Sequence, residues 1–89
     1  MTTSLPTNMV SQVLLDLSAA IEDPQQEEVV RACLMKAKAQ TVSVPSLHLL
    51  HQAVSTWSDV WPRLGTQQEF RIAVSREARA WAQRFSTMG

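Results

Sequence analysis

Residues 61–70 read WPRLGTQQEF, and both the end of one helix and the start of the next fall inside this stretch. Pro62 lacks the amide that a continuing helix would use, and Gly65 is the residue type that most often follows a helical C-terminus. Thr66 and Glu69 then form a T-x-x-E capping box, in which a hydroxyl and a carboxylate each bond an amide left open by the first turn. The spacing predicts one helix ending near residue 61 and another beginning near 66. The triplet QQE at 67–69 also occurs 42 positions earlier, inside DPQQEE at 23–28. A period of that size belongs to two-helix repeats. Yet superposing the two halves lays Val13 on Ser55 and Leu14 on Thr56, which destroys the apolar pattern. In DPQQEE the cap is Asp23 with Pro24 between it and the triplet, whereas Thr66 abuts its own. The triplet marks helix starts and is no repeat.

Outward from there, three more helices follow. Met9, Val10, Val13, Leu14, Leu17, Ala20 and Ile21 recur on one face, with Ser11, Gln12, Asp16, Ser18 and Glu22 on the other. Asp23-Pro24 stops this helix and opens the next, Asp23 as N-cap and Pro24 at the first helical position. Val29, Val30, Cys33, Leu34 and Ala37 form its buried stripe, and Glu27 is placed to support Arg31 one turn on. Pro45 begins a third helix with the widest apolar side: Leu47, Leu50, Ala53, Val54, Trp57, Val60 and Trp61. Such a stripe predicts a central helix. Phe70, Val74, Ala78, Trp81, Phe85 and Met88 make the stripe of the last. The expectation is a single all-α domain over 1–89, a bundle of four helices at about 7–22, 24–40, 45–61 and 66–87 with short connections. Three helices with an irregular N-terminal arm is the alternative.

The 89 residues carry eight basic and eight acidic side chains, 18% charged overall, below the usual quarter for a globular domain. For this mass the folded surface should be about 5,200 Å², so little charge must cover much surface. Shortage of charge implies that a partner or a second copy covers some of it. The charges are also unevenly laid out. Residues 1–30 hold five acids and no base, 31–62 three bases against one acid, and 63–89 five arginines against two glutamates. Either the acidic first half lies beside the basic last helix, or a basic face meets an acidic partner. With one cysteine, no basic leader and no long apolar run, the expectation is a cytoplasmic protein without a membrane span.

Catalytic signatures are absent. His48 and His51 share a helix face at metal-ligand spacing, but no further ligand is near in sequence, so neither metal nor cofactor is expected. His51, Ser55 and Asp59 imitate a triad in composition only. On one helix residues 51 and 59 lie about 12 Å apart, too far to act together. The break between the second and third helices resembles a helix-turn-helix spacing, yet residues 39–62 contain no Lys or Arg, which removes the usual phosphate and base contacts. Arg76, Arg79 and Gln83 on the last helix are a thin nucleic-acid footprint.

What remains are apolar residues off the main stripes. Leu15, Met35 and Ile72 point away from the principal faces, and Leu49 sits at the edge of its own. Trp61, beside the turn, is a candidate anchor, since Trp and Arg are enriched at binding hot spots. Trp57, Trp61 and Trp81 are expected where the last two helices meet. The expected partner surface is therefore Leu15, Met35, Leu49, Trp61, Ile72, Arg76, Arg79 and Gln83. The expected function is non-enzymatic: a small adaptor, chaperone or inhibitor that binds another protein, or itself, through a helical face. A nucleic-acid-binding regulator using the arginines is the alternative. No small-molecule substrate is expected.

Overall fold

The computed structural model describes the backbone of residues 6–88 and the side chains of residues 9–85. Four helices, α1 (Pro6–Ile21), α2 (Glu27–Thr41), α3 (His48–Leu64) and α4 (Gln68–Met88), are joined by short links. The expected start of the first helix and the Met88 side chain lie outside the described side chains, and residues 1–5, where an irregular arm would begin, outside the described residues. From Pro6 the chain is helical, which leaves four helices and removes the three-helix alternative.

Local chemistry explains the links. Asp23 is extended, at φ −118° and ψ 110°, and its carboxylate accepts from the Gln25 amide at 3.0 Å. The turn it caps is a 3₁₀ turn, Pro24–Gln26, that feeds α2. Val44 is likewise extended because Pro45 follows it, and the 3₁₀ turn Pro45–Leu47 leads into α3. Two expectations at the third link need correction. α3 continues through Pro62 to Leu64, since a proline in the last turn costs only one hydrogen bond at an end already short of partners. α4 begins at Gln68, with the Arg71 amide bonded to the Gln67 carbonyl at 3.0 Å. Gln67, not Thr66, is therefore the cap residue, and the T-x-x-E phase is displaced by one.

Gly65 is needed for space rather than for handedness. Its φ of −65° and ψ of −12° suit any residue, and its amide bonds the Trp61 carbonyl. A Cβ here would stand 2.6 Å from that carbonyl oxygen and 2.8 Å from two atoms of the Trp61 indole. Glycine lets the chain turn directly over the ring.

The hydroxyls of Ser11 and Ser18 bond Ala82 and Ser75, which sets α1 and α4 antiparallel. Thr41 bonds His51, and Glu27 bonds Trp61, which sets α2 and α3 antiparallel. The bundle runs up-down-up-down. Its central helix is α1, packed along α4 on one side and α2 on the other, while α3 rests chiefly on α2 and touches α4 little. The wide stripe of α3 misled because it is only partly used: Ala53 and Val60 are half-buried and Leu49 is 65% exposed. Conversely, Ser11 and Ser18, assigned to water by their polarity, are 8% and 2% exposed. Small hydroxyls that find partners can be buried, and they let two helices approach closely. Val29, placed in the α2 stripe, is 42% exposed instead.

One end of the bundle is closed by a polar clamp that joins all four helices. The Arg71 guanidinium donates to the Ile21 carbonyl at the end of α1 (2.6 Å), the Gly65 carbonyl after α3 (2.7 Å) and the Glu27 carboxylate at the start of α2 (3.2 Å). It also lies 5.4 Å from the Trp61 ring, whose indole N–H donates to the other Glu27 oxygen. Glu27 is thus spent on Arg71 and Trp61 rather than supporting Arg31. Trp61 meets Phe70 of α4, but Trp81 stacks on Phe85 of its own helix. The tryptophans do not gather at one seam, because α3 and α4 meet only near their turn.

Candidate interaction surface

Ser11 and Ser18 turn one edge of α1 toward α4, and Leu15, one turn from each, falls on the same edge at the surface. Residues repeating every three or four along α4 lie along one side of it. This row, Ile72, Arg76, Arg79 and Gln83, flanks Ser75, which bonds Ser18. Between the C-terminal part of α1 and the N-terminal part of α4 is a cleft of about 270 Å³, lined among others by Ile21, Glu22, Ile72, Ser75, Arg76 and Arg79. Leu15 and Ile72 are 41% and 42% exposed, so the edge offers apolar surface as well as charge.

Of the eight expected residues, Ile72, Arg76 and Arg79 line this cleft, while Leu15 and Gln83 lie along the same α1–α4 edge outside it. Met35, 71% exposed, lies instead between α2 and α3 beside Arg31 and Pro62, and Leu49 is on α3. Trp61 is withdrawn altogether. At 3% exposure, with its N–H committed to Glu27, it is part of the core and no anchor for a partner.

Two arginines of α4 are paired within the fold. Arg79 pairs with Glu22 at 2.6 Å and reaches Ser18 at 3.1 Å, and Arg71 is held in the clamp. The acidic first half does lie beside the basic last helix. Arg84 stacks over Trp81 at 4.6 Å. Arg76 has no ion-pair or hydrogen-bond partner among the described residues, so it is the free cation of the α1–α4 edge.

The opposite edge of α1 has the other sign. A groove between α1 and α2 is lined by Val13, Asp16, Glu28, Val29, Cys33 and Lys36, among others, and Asp23 lines its continuation. Sequence reasoning missed this edge because Val29 fits the helical period of the buried residues. Burial pushes the Cys33 thiol up from its ordinary range, Asp16 adds to the rise, and Lys36 opposes it. The thiol is kept protonated and is a poor nucleophile.

Elsewhere the polar chemistry is structural. Thr41, 1% exposed, donates its hydroxyl hydrogen to the Ala37 carbonyl and accepts from His51 Nδ1 at 2.9 Å. His51 Nε2 then accepts from Ser55 at 3.4 Å. Ser55 and His51 do meet, but the third member is Thr41 and not Asp59. A hydroxyl cannot stabilise an imidazolium as a carboxylate does. His48 bonds Gln52, and among the described residues no three His, Cys, Asp or Glu side chains converge as metal ligands. No helix among the described residues is long and apolar enough to cross a membrane. No protein-family profile, no characterised protein and no solved structure matches the chain, so the surface is read from its own geometry.

Proposed function

We propose that this chain is a non-enzymatic protein-binding module, of the adaptor, chaperone or inhibitor kind, that works through the outer face of α1 and its flanking helices. The observation that supports it is convergence: Leu15, Ile72 and the unpaired Arg76 share one edge beside a cleft. Apolar residues rimmed by an unsatisfied arginine are what a protein interface uses. The nucleic-acid alternative loses ground on the same residues. Arg71 is 11% exposed and Arg79 already has a carboxylate, so of the arginines lining this cleft only Arg76 is left for a phosphate.

Affinity capture with purified bait variants tests this. Ile72→Glu and Leu15→Glu should keep native helicity yet lose the protein captured by the parent chain, with nuclease making no difference. Met35→Glu, on another face, should retain it. Loss with Met35→Glu but not with Ile72→Glu would move the interface elsewhere, and capture abolished by nuclease would favour the nucleic-acid alternative.

A further inference from the structure

The exposed side of α1 lies between its two neighbours, α4 on one side and α2 on the other. Along that midline run Gln12 and Ala19. Ala19 has only a methyl group, so another helix can come close. To one side stand Leu15, Ile72, Arg76 and the Arg79–Glu22 pair, and to the other Asp16, Glu28, the cation Lys36 and the 42%-exposed Val29. Each edge therefore carries apolar surface, and the net charge is positive on the α4 edge and negative on the α2 edge.

We propose that this face binds the same face of a second copy, about a two-fold axis parallel to α1. The proposal rests on the protein-binding reading above and names the partner. Rotation about such an axis exchanges left and right but leaves height along α1 unchanged. It sets the α4 edge of each copy against the α2 edge of the other, so cation meets carboxylate twice. A two-fold axis lying across the helices would instead oppose α4 to α4, and Arg76 to its own kind.

The heights agree. The pairs Ser11–Ala82 and Ser18–Ser75 place Arg76 level with Leu17. On the other edge, Asp16 shares one cleft with Glu28, Val29, Ala32 and Cys33, and another with Val29 and Cys33. Glu28 then stands within about one helical turn, roughly 5 Å, of the level of Leu17. A flexible arginine spans that offset.

Sedimentation velocity and light scattering over about 1–200 µM, the range in which a moderate dimer dissociates, supply the test. The parent chain should pass from the mass of one chain to that of two. Arg76→Glu and Glu28→Arg should each weaken dimerisation at least about tenfold, and the two together should restore it to within about threefold. Met35→Glu should change nothing. Should a reversal disturb helicity, Arg76→Gln and Glu28→Gln must each weaken the dimer in the same direction. A single-chain mass throughout, a dimer indifferent to both reversals, or a swapped pair no tighter than its parts would each overturn the proposal. If the chain stays single while Ile72→Glu still abolishes capture of a different protein, the second copy is wrong and the binding-module reading survives. If dimer and charge swap behave as stated while capture ignores Ile72, the reverse holds.

Discussion

Replacing Arg71 with Met should destabilise this protein more than any other loss of a charged side chain. The guanidinium is 11% exposed and joins the carbonyls of Ile21 and Gly65 to the Glu27 carboxylate. Methionine keeps much of the aliphatic stem and removes every donor. Hydrogen bonds to a charged group contribute about 1.5–3 kcal/mol each, and stranded acceptors add a desolvation cost. These terms do not add in full. Glu27 is 41% exposed, so water recovers part of what it loses, and the pairing itself is discounted for screening. A net loss of about 3 kcal/mol is expected, or roughly 12–24 °C in Tm for a domain of this size. Urea unfolding followed by far-UV circular dichroism should show a lower midpoint with an unchanged slope. Tryptophan emission should report the same transition, because Trp61 belongs to the clamp. Arg71→Lys should recover only part, since an ammonium cannot present the planar fork that reaches three acceptors. Arg79→Ala is the control: its pair with Glu22 is about half exposed on both sides and should contribute under about 1 kcal/mol. A loss at Arg71 no larger than at Arg79 would refute the view that this residue ties the helix ends together.

Gly65→Ala separates two physical effects of opposite sign. Chain entropy alone would favour alanine by about 0.4–1 kcal/mol at this right-handed position, but the new methyl would collide with Trp61. A net destabilisation of about 1–3 kcal/mol is expected from denaturant midpoints, and a stabilised variant would show that Trp61 simply moves aside. Ser18→Ala should cost about 1 kcal/mol by leaving Ser75 short of a partner, while Ser18→Ala with Ser75→Ala should cost less than twice either single change. Additive losses in that cycle would mean the two hydroxyls are not coupled. Cys33 should react with iodoacetamide at mildly alkaline pH many-fold more slowly than the urea-unfolded chain does. Because its pKa is raised on folding, the folded state holds the thiol proton longer, so stability is unaffected below the ordinary thiol range and falls as pH climbs through it. Equal labelling rates, or stability rising across that range, would contradict the burial of the thiol.

How much of this was legible in the sequence depends on which force set each feature. Helix positions came from local chemistry, with Asp23-Pro24 and Pro45 acting on their immediate neighbours, so the boundaries read off the chain lie within a few residues of those observed. The order of packing did not, because amphipathic periodicity reports one buried side per helix and α1 has more than one. Its second contact is made by Ser11 and Ser18, whose polarity imitates a solvated face until Ala82 and Ser75 are brought opposite them by the tertiary fold. The same blindness hid Val29, which matches the period of the α2 core yet lies at the surface. For the surface, Leu15 and Ile72 were recognisable as misfits to their stripes. That they share an edge while Met35 and Leu49 do not follows only from the antiparallel register. Trp61 was misjudged because its partner, Glu27, lies 34 residues away.

These features bear on one another through α1. A small domain has marginal stability, and a scarcity of charge ought to leave it poorly soluted by its own surface. Here Glu22 and Glu27, two of the acids, are paired across helices with Arg79 and Arg71, so still less charge is left over for solvent. Of what is left, Arg76 stands on one edge of the central helix, and Asp16 and Glu28 with Lys36 on the other. A surface that carries both signs, separated by a midline of Gln12 and Ala19, would on the dimer proposal attract its own copy in one relative orientation and repel it in the transverse one. On the proposed reading stability and recognition would meet in the same helix: α1 is gripped from both sides by α4 and α2, so its outer stripe would meet a partner already ordered, with little ordering left to oppose binding.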